Sequence, residues 1–322
     1  MKIDQIISAK NILGSDVVHT PMLSLCSNKI KPFLFDAASV KLKLEIFQHV
    51  GSFKARGVLL GLNSINSEAK KRGVVAVSAG NHALAVSWAS NLIGINAKVI
   101  MPKSADANRI EGCKAFGADL LLVENAEEMF AKMEEIASSE NRVILHPFEA
   151  DHMISGSATC GLEMLEAMPE MEQAIIPIGG GGLISGIALA IKAIKPTVEI
   201  FGVEPYGADS MFRSLSAKEP VKLKKVETIA DSLGSPMALP KTFKIIRNNI
   251  SGVVRLTEKE IVNSMVIMQE KLNLLVEPAC ATSLAALMGP LRDKVVGKNV
   301  ALIACGSNIS AEKYADILRN YE

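Results

Sequence analysis

Three short stretches of this sequence set chemically useful residues among neighbours that leave them room to act. The first spans residues 51–57, Gly-Ser-Phe-Lys-Ala-Arg-Gly. Small residues and Phe53 around Lys54 would strip water from its amine, and a desolvated lysine loses its proton more easily and turns nucleophilic. An ordinary surface lysine, or one that touches a phosphate, fits the same seven residues. The second stretch is Ser78-Ala79-Gly80-Asn81-His82, at the end of one expected strand and the start of a helix. Free backbone N–H groups at a helix start bind carboxylate or phosphate, and the Asn81 amide adds a donor. Plain capping by Ser78 or Asn81 is the commoner use of such residues, and His82 reads either as a general base or as a structural histidine. The third is the run Gly179-Gly180-Gly181-Gly182, again between strand and helix, where a bare backbone can wrap a phosphate at the positive end of a helix dipole. It lacks the acidic partner of a dinucleotide fold and the Lys-Ser/Thr of a Walker A loop, which leaves a phosphate without a nucleotide, or else simple tight packing.

The elements that must position these loops alternate along the chain. Short β-branched runs at 74–78, 97–101, 119–123, 143–147, 174–178, 198–203, 252–255 and 300–305 read as strands. Amphipathic stretches at 82–92, 105–116, 126–138 and 183–194 read as helices, and Thr257 with Glu260 reads as a capping box opening another. Strands apolar throughout, separated by helices, imply an α/β protein with parallel sheets covered on both faces. Ligands of such sheets gather at the carboxyl ends of the strands, where all three loops lie. No linker breaks the sequence, so two domains would have to be interleaved.

Composition removes several classes of function. With 35 basic and 34 acidic residues in 322, no net field draws nucleic acid or an anionic membrane, and 4% aromatic content provides few stacking platforms. The uncharged stretch 174–191 has the length of a membrane span, but Pro177 and the glycine run divide it into a strand and a helix. Asp4 interrupts the place of a signal peptide's apolar core. The five cysteines, Cys26, Cys113, Cys160, Cys280 and Cys305, are scattered and odd in number, which suits reduced thiols in a cytoplasmic protein.

A lysine, a phosphate cradle and an amide donor around one small ligand match the aldehyde, phosphate and phenolic oxygen of pyridoxal phosphate. At this level of detail the chain resembles the fold-type II (tryptophan synthase β-like) pyridoxal-phosphate enzymes, and within them the threonine/serine dehydratase and serine racemase group. The resemblance extends over nearly the whole chain. It is carried by the 51–57 and 78–83 stretches, the glycine loop with Leu183-Ile184-Ser185-Gly186, Val203-Glu204-Pro205, Thr228-Ile229-Ala230-Asp231, Glu277-Pro278 and Cys305-Gly306-Ser307-Asn308. It implies two interleaved open twisted sheets, with a small domain at 73–149 inserted into a large one at 1–72 and 150–322, and a homodimer. It implies that Lys54 holds the cofactor as a Schiff base and moves the substrate's α-proton. Phe53 would pack beside the ring, Asn81 meet its phenolic oxygen, and Gly179, Gly180, Gly181, Gly182 and Leu183 bind its phosphate. Ser52, Ser78, Gly80 and His82 would surround the substrate carboxylate.

Departures from the family narrow the expectation. The resemblance implies that Cys305 meets the pyridine nitrogen, where most threonine dehydratases and serine racemases carry serine and some serine dehydratases carry cysteine. A thiol is a weak partner, so the ring is a poorer electron sink and loss of a β-hydroxyl is favoured over transamination. Ala79 replaces the serine that racemases use as the opposite-face acid/base, which disfavours racemisation. A magnesium site resembling Glu204, the Ala208 carbonyl and Ser210 has serine at its last ligand position, and a plain turn after a strand accounts for the same residues. The sequence stops soon after Asn308, which predicts no appended feedback domain. The reading is therefore a lyase: an L-threonine or L-serine ammonia-lyase acting on a small-molecule amino acid. A dehydratase of 3-hydroxyaspartate or phenylserine, or a serine racemase, is the alternative within the class. A non-catalytic phosphate- or nucleotide-binding α/β protein is the alternative outside it.

Overall fold

The chain opens one sheet with β1 (Met22–Ser24) against β2 (Ser39–Leu44), then leaves it for a second sheet. That second sheet holds β3 (Val74–Val77), β4 (Ala97–Pro102), β5 (Asp119–Val123) and β6 (Val143–Ile144). The chain returns with β7 (Gln173–Pro177), β8 (Glu199–Pro205), β9 (Gly252–Leu256) and β10 (Asn299–Ala304). This computed structural model describes residues 1–124 and 126–321. The larger sheet runs β1-β2-β10-β7-β8-β9 and the smaller β5-β4-β3-β6. The β1–β2 pair is antiparallel and the other described strand pairs are parallel. Strands β3 and β7 are buried along their whole length, as strands covered by helices on both faces must be.

The last strand lies in the middle of the larger sheet. In register Ser39 faces Asn299 and Leu44 faces Ala304, so the loop that leads from β2 to Lys54 starts beside the loop that begins with Cys305. Strand β7, on the other side of β10, ends at the glycine loop. Three parallel strands thus deliver three of the chemical loops to one sheet edge.

Strands β1 and β2 are absent from the sequence-based set, and the reason is Lys43. Alternating lysines in Ser-Val-Lys-Leu-Lys-Leu read as a solvated face, yet the Lys43 side chain is fully buried. Its ammonium donates to the Thr20 carbonyl at 2.6 Å and pairs with Glu163 at 2.5 Å. Arg56, two residues after Lys54, completes the cluster. It holds Glu45 through Nε and Nη2 at 2.8 and 2.9 Å, Glu163 through Nη1 and Nη2 at 2.6 and 2.8 Å, and the Val18 carbonyl at 3.1 Å. Two buried cations and two buried carboxylates neutralise each other. The cluster ties the helix Lys54–Ser64 to the end of β2 and to the helix Asp151–Ala167.

The same two helices touch through glycine. A Cβ on Gly156 would stand 2.4 Å from the Gly57 nitrogen and one on Gly57 2.8 Å from the Met153 Cα, so the final glycine of the 51–57 stretch is there for close approach. The strand expected at 143–147 ends at Ile144. Leu145 still donates to Val75, but Pro147 has no N–H for the ladder, and His146-Pro147-Phe148 leaves the sheet for the cleft. The 105–116 helix begins at Ala107 because Asp106 caps it. The Thr257–Glu260 capping box is present at the head of the helix Glu258–Leu272. No described helix is long and apolar enough to cross a membrane; the 174–191 stretch is β7, a glycine turn and the helix Gly182–Ile194.

Candidate active site

Lys54 is the first residue of its helix, and its amine lies in the cleft between the two sheets. Nζ donates to the Pro147 carbonyl at 2.5 Å and stands 5.0 Å from the centre of the Phe53 ring. Among the described residues no carboxylate reaches ion-pair distance of it. Burial without a counter-charge disfavours the ammonium and brings its pKa from 10.5 down to about 8. Lys54 is half-buried, and its amine has a backbone carbonyl rather than a carboxylate as its partner. Behind it Ser52 is fully buried, and its hydroxyl has no protein partner among the described residues.

The segment bearing Lys54 is laid along the residues that follow β10. Phe53 donates to the Cys305 carbonyl at 3.3 Å, Ser52 bridges Gly306, and Ser307 donates to the Gly51 carbonyl at 3.1 Å. Cys305 is buried, and its thiol is held well above its ordinary pKa by a hydrogen bond with Cys280 and by burial, so it is neutral.

Asn81 reaches the same place from the smaller sheet. Its Nδ2 donates to both oxygens of Glu277, at 2.8 and 3.1 Å, and its Oδ1 accepts from Asn308 Nδ2 at 2.6 Å. Glu277 is buried and fully engaged, for it also accepts from the Asn308 N–H at 2.9 Å, Ser232 at 2.6 Å and Arg109 at 3.3 Å. Arg109 in turn pairs with Asp231 at 3.0 Å and donates to the Asn308 carbonyl at 2.8 Å. An acidic group therefore lies near Cys305, with its lone pairs already spent. Sequence reading assigned no role to Glu277, Arg109, Asp231, Ser232 or Asn308. The available signal was a charged residue in an apolar setting, Val276-Glu277-Pro278.

The glycine loop leaves β7 with every side-chain position closed. A Cβ would stand 2.9 Å from the Ser232 carbonyl at Gly179, 2.2 Å from the Phe148 ring at Gly180 and 2.8 Å from the Phe148 carbonyl at Gly182, while Gly181 has φ +87°. Phe148 thus walls the loop, and Pro147 next to it meets Lys54. The loop opens the helix Gly182–Ile194, whose first N–H groups have no intrahelical partner. Ser185 in that first turn is buried, with an unpartnered hydroxyl among the described residues.

The 78–82 stretch divides its labour. The Ser78 hydroxyl accepts from the Gly80 N–H at 3.0 Å, and Gly80 precedes the helix Asn81–Ile93. His82 is buried and donates through Nε2 to the Leu145 carbonyl at 2.8 Å, which leaves Nδ1 a bare acceptor. Burial and then the Lys54 charge push its pKa well below the ordinary value. The side chain is therefore neutral, and it is the backbone of this helix start that offers hydrogen to an anion.

Glu204, Ala208 and Ser210 lie elsewhere, at the end of β8. Glu204 caps the helix Ser210–Ala217 by accepting from Met211 and Phe212 N–H at 2.9 and 2.7 Å. Asp209 between them is held by Arg213 at 2.6 Å and Arg255 at 3.0 Å. Arg255 stacks over Phe212 and Tyr206, 3.9 and 4.5 Å from their ring centres. Among the described residues no group of three or more His, Cys, Asp or Glu is placed to hold a metal ion. Of the three candidate ligands, Glu204 alone is a carboxylate, and both its oxygens already serve a helix end.

A desolvated amine, a glycine turn at a helix start and unpartnered buried hydroxyls beside both define an enzyme built to hold a phosphate-bearing carbonyl compound against a lysine. The chain belongs to the pyridoxal-phosphate dependent enzymes, whose family model matches residues 20–306, and its fold is that of fold-type II. It is 40% identical to a phenylserine dehydratase of Ralstonia pickettii, over 86% of this chain and 85% of that one. It is 35% identical to the catabolic L-threonine dehydratase of Escherichia coli K12, over 98% and 95%. Maize serine racemase superposes with a TM-score of 0.92 at 32% identity, covering 99% of this chain and 97% of that one.

Proposed function

We propose that this protein eliminates water from a 3-hydroxy amino acid and releases the 2-oxo acid and ammonia. The observation that carries the proposal is the Lys54 amine, unpaired by any described carboxylate and brought down to a pKa of about 8, in the cleft with the glycine loop. Bound pyridoxal phosphate supplies a carbonyl for that amine and a ring that takes up the electron pair released when the substrate's Cα–H bond breaks. The backbone N–H groups of the glycine loop and Leu183 would hold its phosphate, the Asn81 amide its phenolic oxygen and the Cys305 thiol its ring nitrogen. Backbone groups from Ser78 to His82, with the Ser52 hydroxyl, would bind the substrate carboxylate at the head of the helix Asn81–Ile93. Lys54 Nζ takes the α-proton and holds it on one face. On the opposite face Ala79 has neither proton nor base to offer, so the carbon is not reprotonated there. The β-hydroxyl departs as water, its proton balanced by the α-proton that Lys54 has taken, and the enamine left behind takes up water to give the oxo acid and ammonia. A neutral Cys305 gives the ring nitrogen a weak partner, which favours this loss over transamination.

The Mg2+ expected at Glu204, Ala208 and Ser210 has no part in the proposal, since Glu204, the one carboxylate among them, already caps a helix end. The rest of the reading is a small unit at 73–149 inserted in a larger one, a homodimer and a cytoplasmic location. The last is supported by five cysteines that are all free. Light scattering of the purified protein checks the dimer.

A panel of threonine, serine, 3-phenylserine and 3-hydroxyaspartate, assayed for oxo acid and ammonia, tests the function. Release from at least one, with no inversion of the unreacted amino acid, is expected. Inversion without release would make the protein a racemase. A colourless protein whose Lys54 is inert to borohydride in the presence of pyridoxal phosphate would make it a binding protein. Phenylserine heads the panel because His146 and Phe148, edge to face at 4.8 Å, form an aromatic wall beside the glycine loop.

A further inference from the structure

Just before Ser52 the chain passes through two successive left-handed residues, Val50 at φ +52° and Gly51 at φ +64°. Glycine adopts this conformation freely; a β-branched residue does so only under constraint. The constraint is visible. The Val50 carbonyl accepts from Asn308 Nδ2 at 2.6 Å, and Gly51 is held by Ser307. A relaxed Val50 would swing the next residues, and Lys54 with them, away from the carboxyl end of β10.

Asn308 does more than this. Its second Nδ2 proton goes to Asn81 Oδ1 at 2.6 Å, its N–H to Glu277 and its carbonyl to Arg109. The orientation of both amides follows from groups that can only accept. A backbone carbonyl accepts, so Asn308 must turn its NH2 toward Val50. That NH2 then meets Asn81 Oδ1, while the Glu277 carboxylate at the other side of Asn81 requires an NH2 there. Asn81 is left with its Nδ2 turned to Glu277 and its Oδ1 taken by Asn308, so its amide is fixed in one orientation.

We propose that Asn308 is a positioning residue for the active site, acting through two neighbours. It pins the strained Val50–Gly51 turn that presents Lys54, and it fixes which way the Asn81 amide faces, with Nδ2 rather than Oδ1 on the Glu277 side, where it would meet the cofactor's phenolic oxygen. The second role rests on the function proposed above; the first stands without it.

Asn308→Asp and Asn308→Ala test both roles, with folding monitored by the fluorescence of the single tryptophan, Trp88. In the cofactor-free protein, hydrogen exchange of the 50–53 amides reads the clamp alone. It should quicken at least about tenfold in both variants, a loss of about 1.4 kcal/mol of local protection. Titration with pyridoxal phosphate reads the second role. Affinity should fall at least about tenfold, and in the Asp variant the visible band and its pH midpoint should move, because a carboxylate at 308 forces the Asn81 amide to turn over. Adding Val50→Gly to Asn308→Ala should recover about threefold or more in affinity, since glycine takes φ +52° without strain, and should leave the band displaced. Unchanged exchange at 50–53 would overturn the clamp, and a wild-type band in Asn308→Asp would overturn the orienting role. Failure of the wild-type protein to bind pyridoxal phosphate would refute the Lys54 reading instead, while the exchange result still decides the clamp.

Discussion

A lysine amine with a pKa of about 8 leaves a kinetic signature that an ordinary lysine cannot imitate. The perturbation is pH, applied to cofactor-free protein mixed with pyridoxal phosphate. Only the free amine attacks an aldehyde. At neutral pH an amine of pKa about 8 is about one-tenth free, whereas one at about 10.5 is free at roughly three parts in ten thousand, a difference of about 300-fold in available nucleophile. The sign is fixed by burial, which penalises the charged form and so lowers a lysine's pKa. The rate of appearance of the lysine-bound cofactor's visible band should therefore rise tenfold for each pH unit up to about 8 and level off above it. Stopped-flow absorbance measures this directly, and Trp88, stacked on His49 at 4.7 Å, reports by fluorescence that the fold holds over the range. A rate still climbing tenfold per unit beyond pH 9 would mean that Lys54 is solvated, and the desolvation argument would fail.

Three other outcomes follow from the packing. Arg56→Met leaves Glu45 and Glu163 buried with one cation fewer, and urea unfolding should show a loss of roughly 3–5 kcal/mol with m unchanged. Gly180→Ala drives a methyl into the Phe148 ring; cofactor affinity by titration should fall at least about tenfold, with partial recovery when Phe148→Ala is added. Neither chelator nor millimolar Mg2+ should move the thermal midpoint, because a site filled to 100 times its Kd would add about 2.7 kcal/mol, a shift of several degrees.

The sequence disclosed the three candidate loops because each departs from ordinary composition: a lysine among small residues, a run of four glycines, a strand end followed by Gly-Asn. Strands such as β3 and β7 were legible because burial on both faces makes them apolar throughout. What stayed hidden was polar and buried at once. Strand β2 was missed because Lys43 looks solvated until Glu163 is placed across 120 residues of chain to meet it. The Glu277 hub escaped in the same way, since its partners Asn81, Arg109, Ser232 and Asn308 come from elements far apart in the sequence. A pattern read along one dimension finds periodicity and composition. It does not find which charges will neutralise each other after folding.

The place of β10 between β2 and β7 also sets when this protein can first become active. Strand β2 emerges early in synthesis, but its central neighbour follows about 260 residues later. At ribosomal speeds of about 5–20 residues per second, that is a wait of roughly 13 to 50 s. During that time Lys54 is already made, while the Cys305–Asn308 segment that aligns it does not yet exist. A nascent chain holding the nucleophile thus has no working site, and a message broken before β10 yields nothing that can consume amino acids. Synthesis of the 305–308 segment is itself the step that arms the lysine.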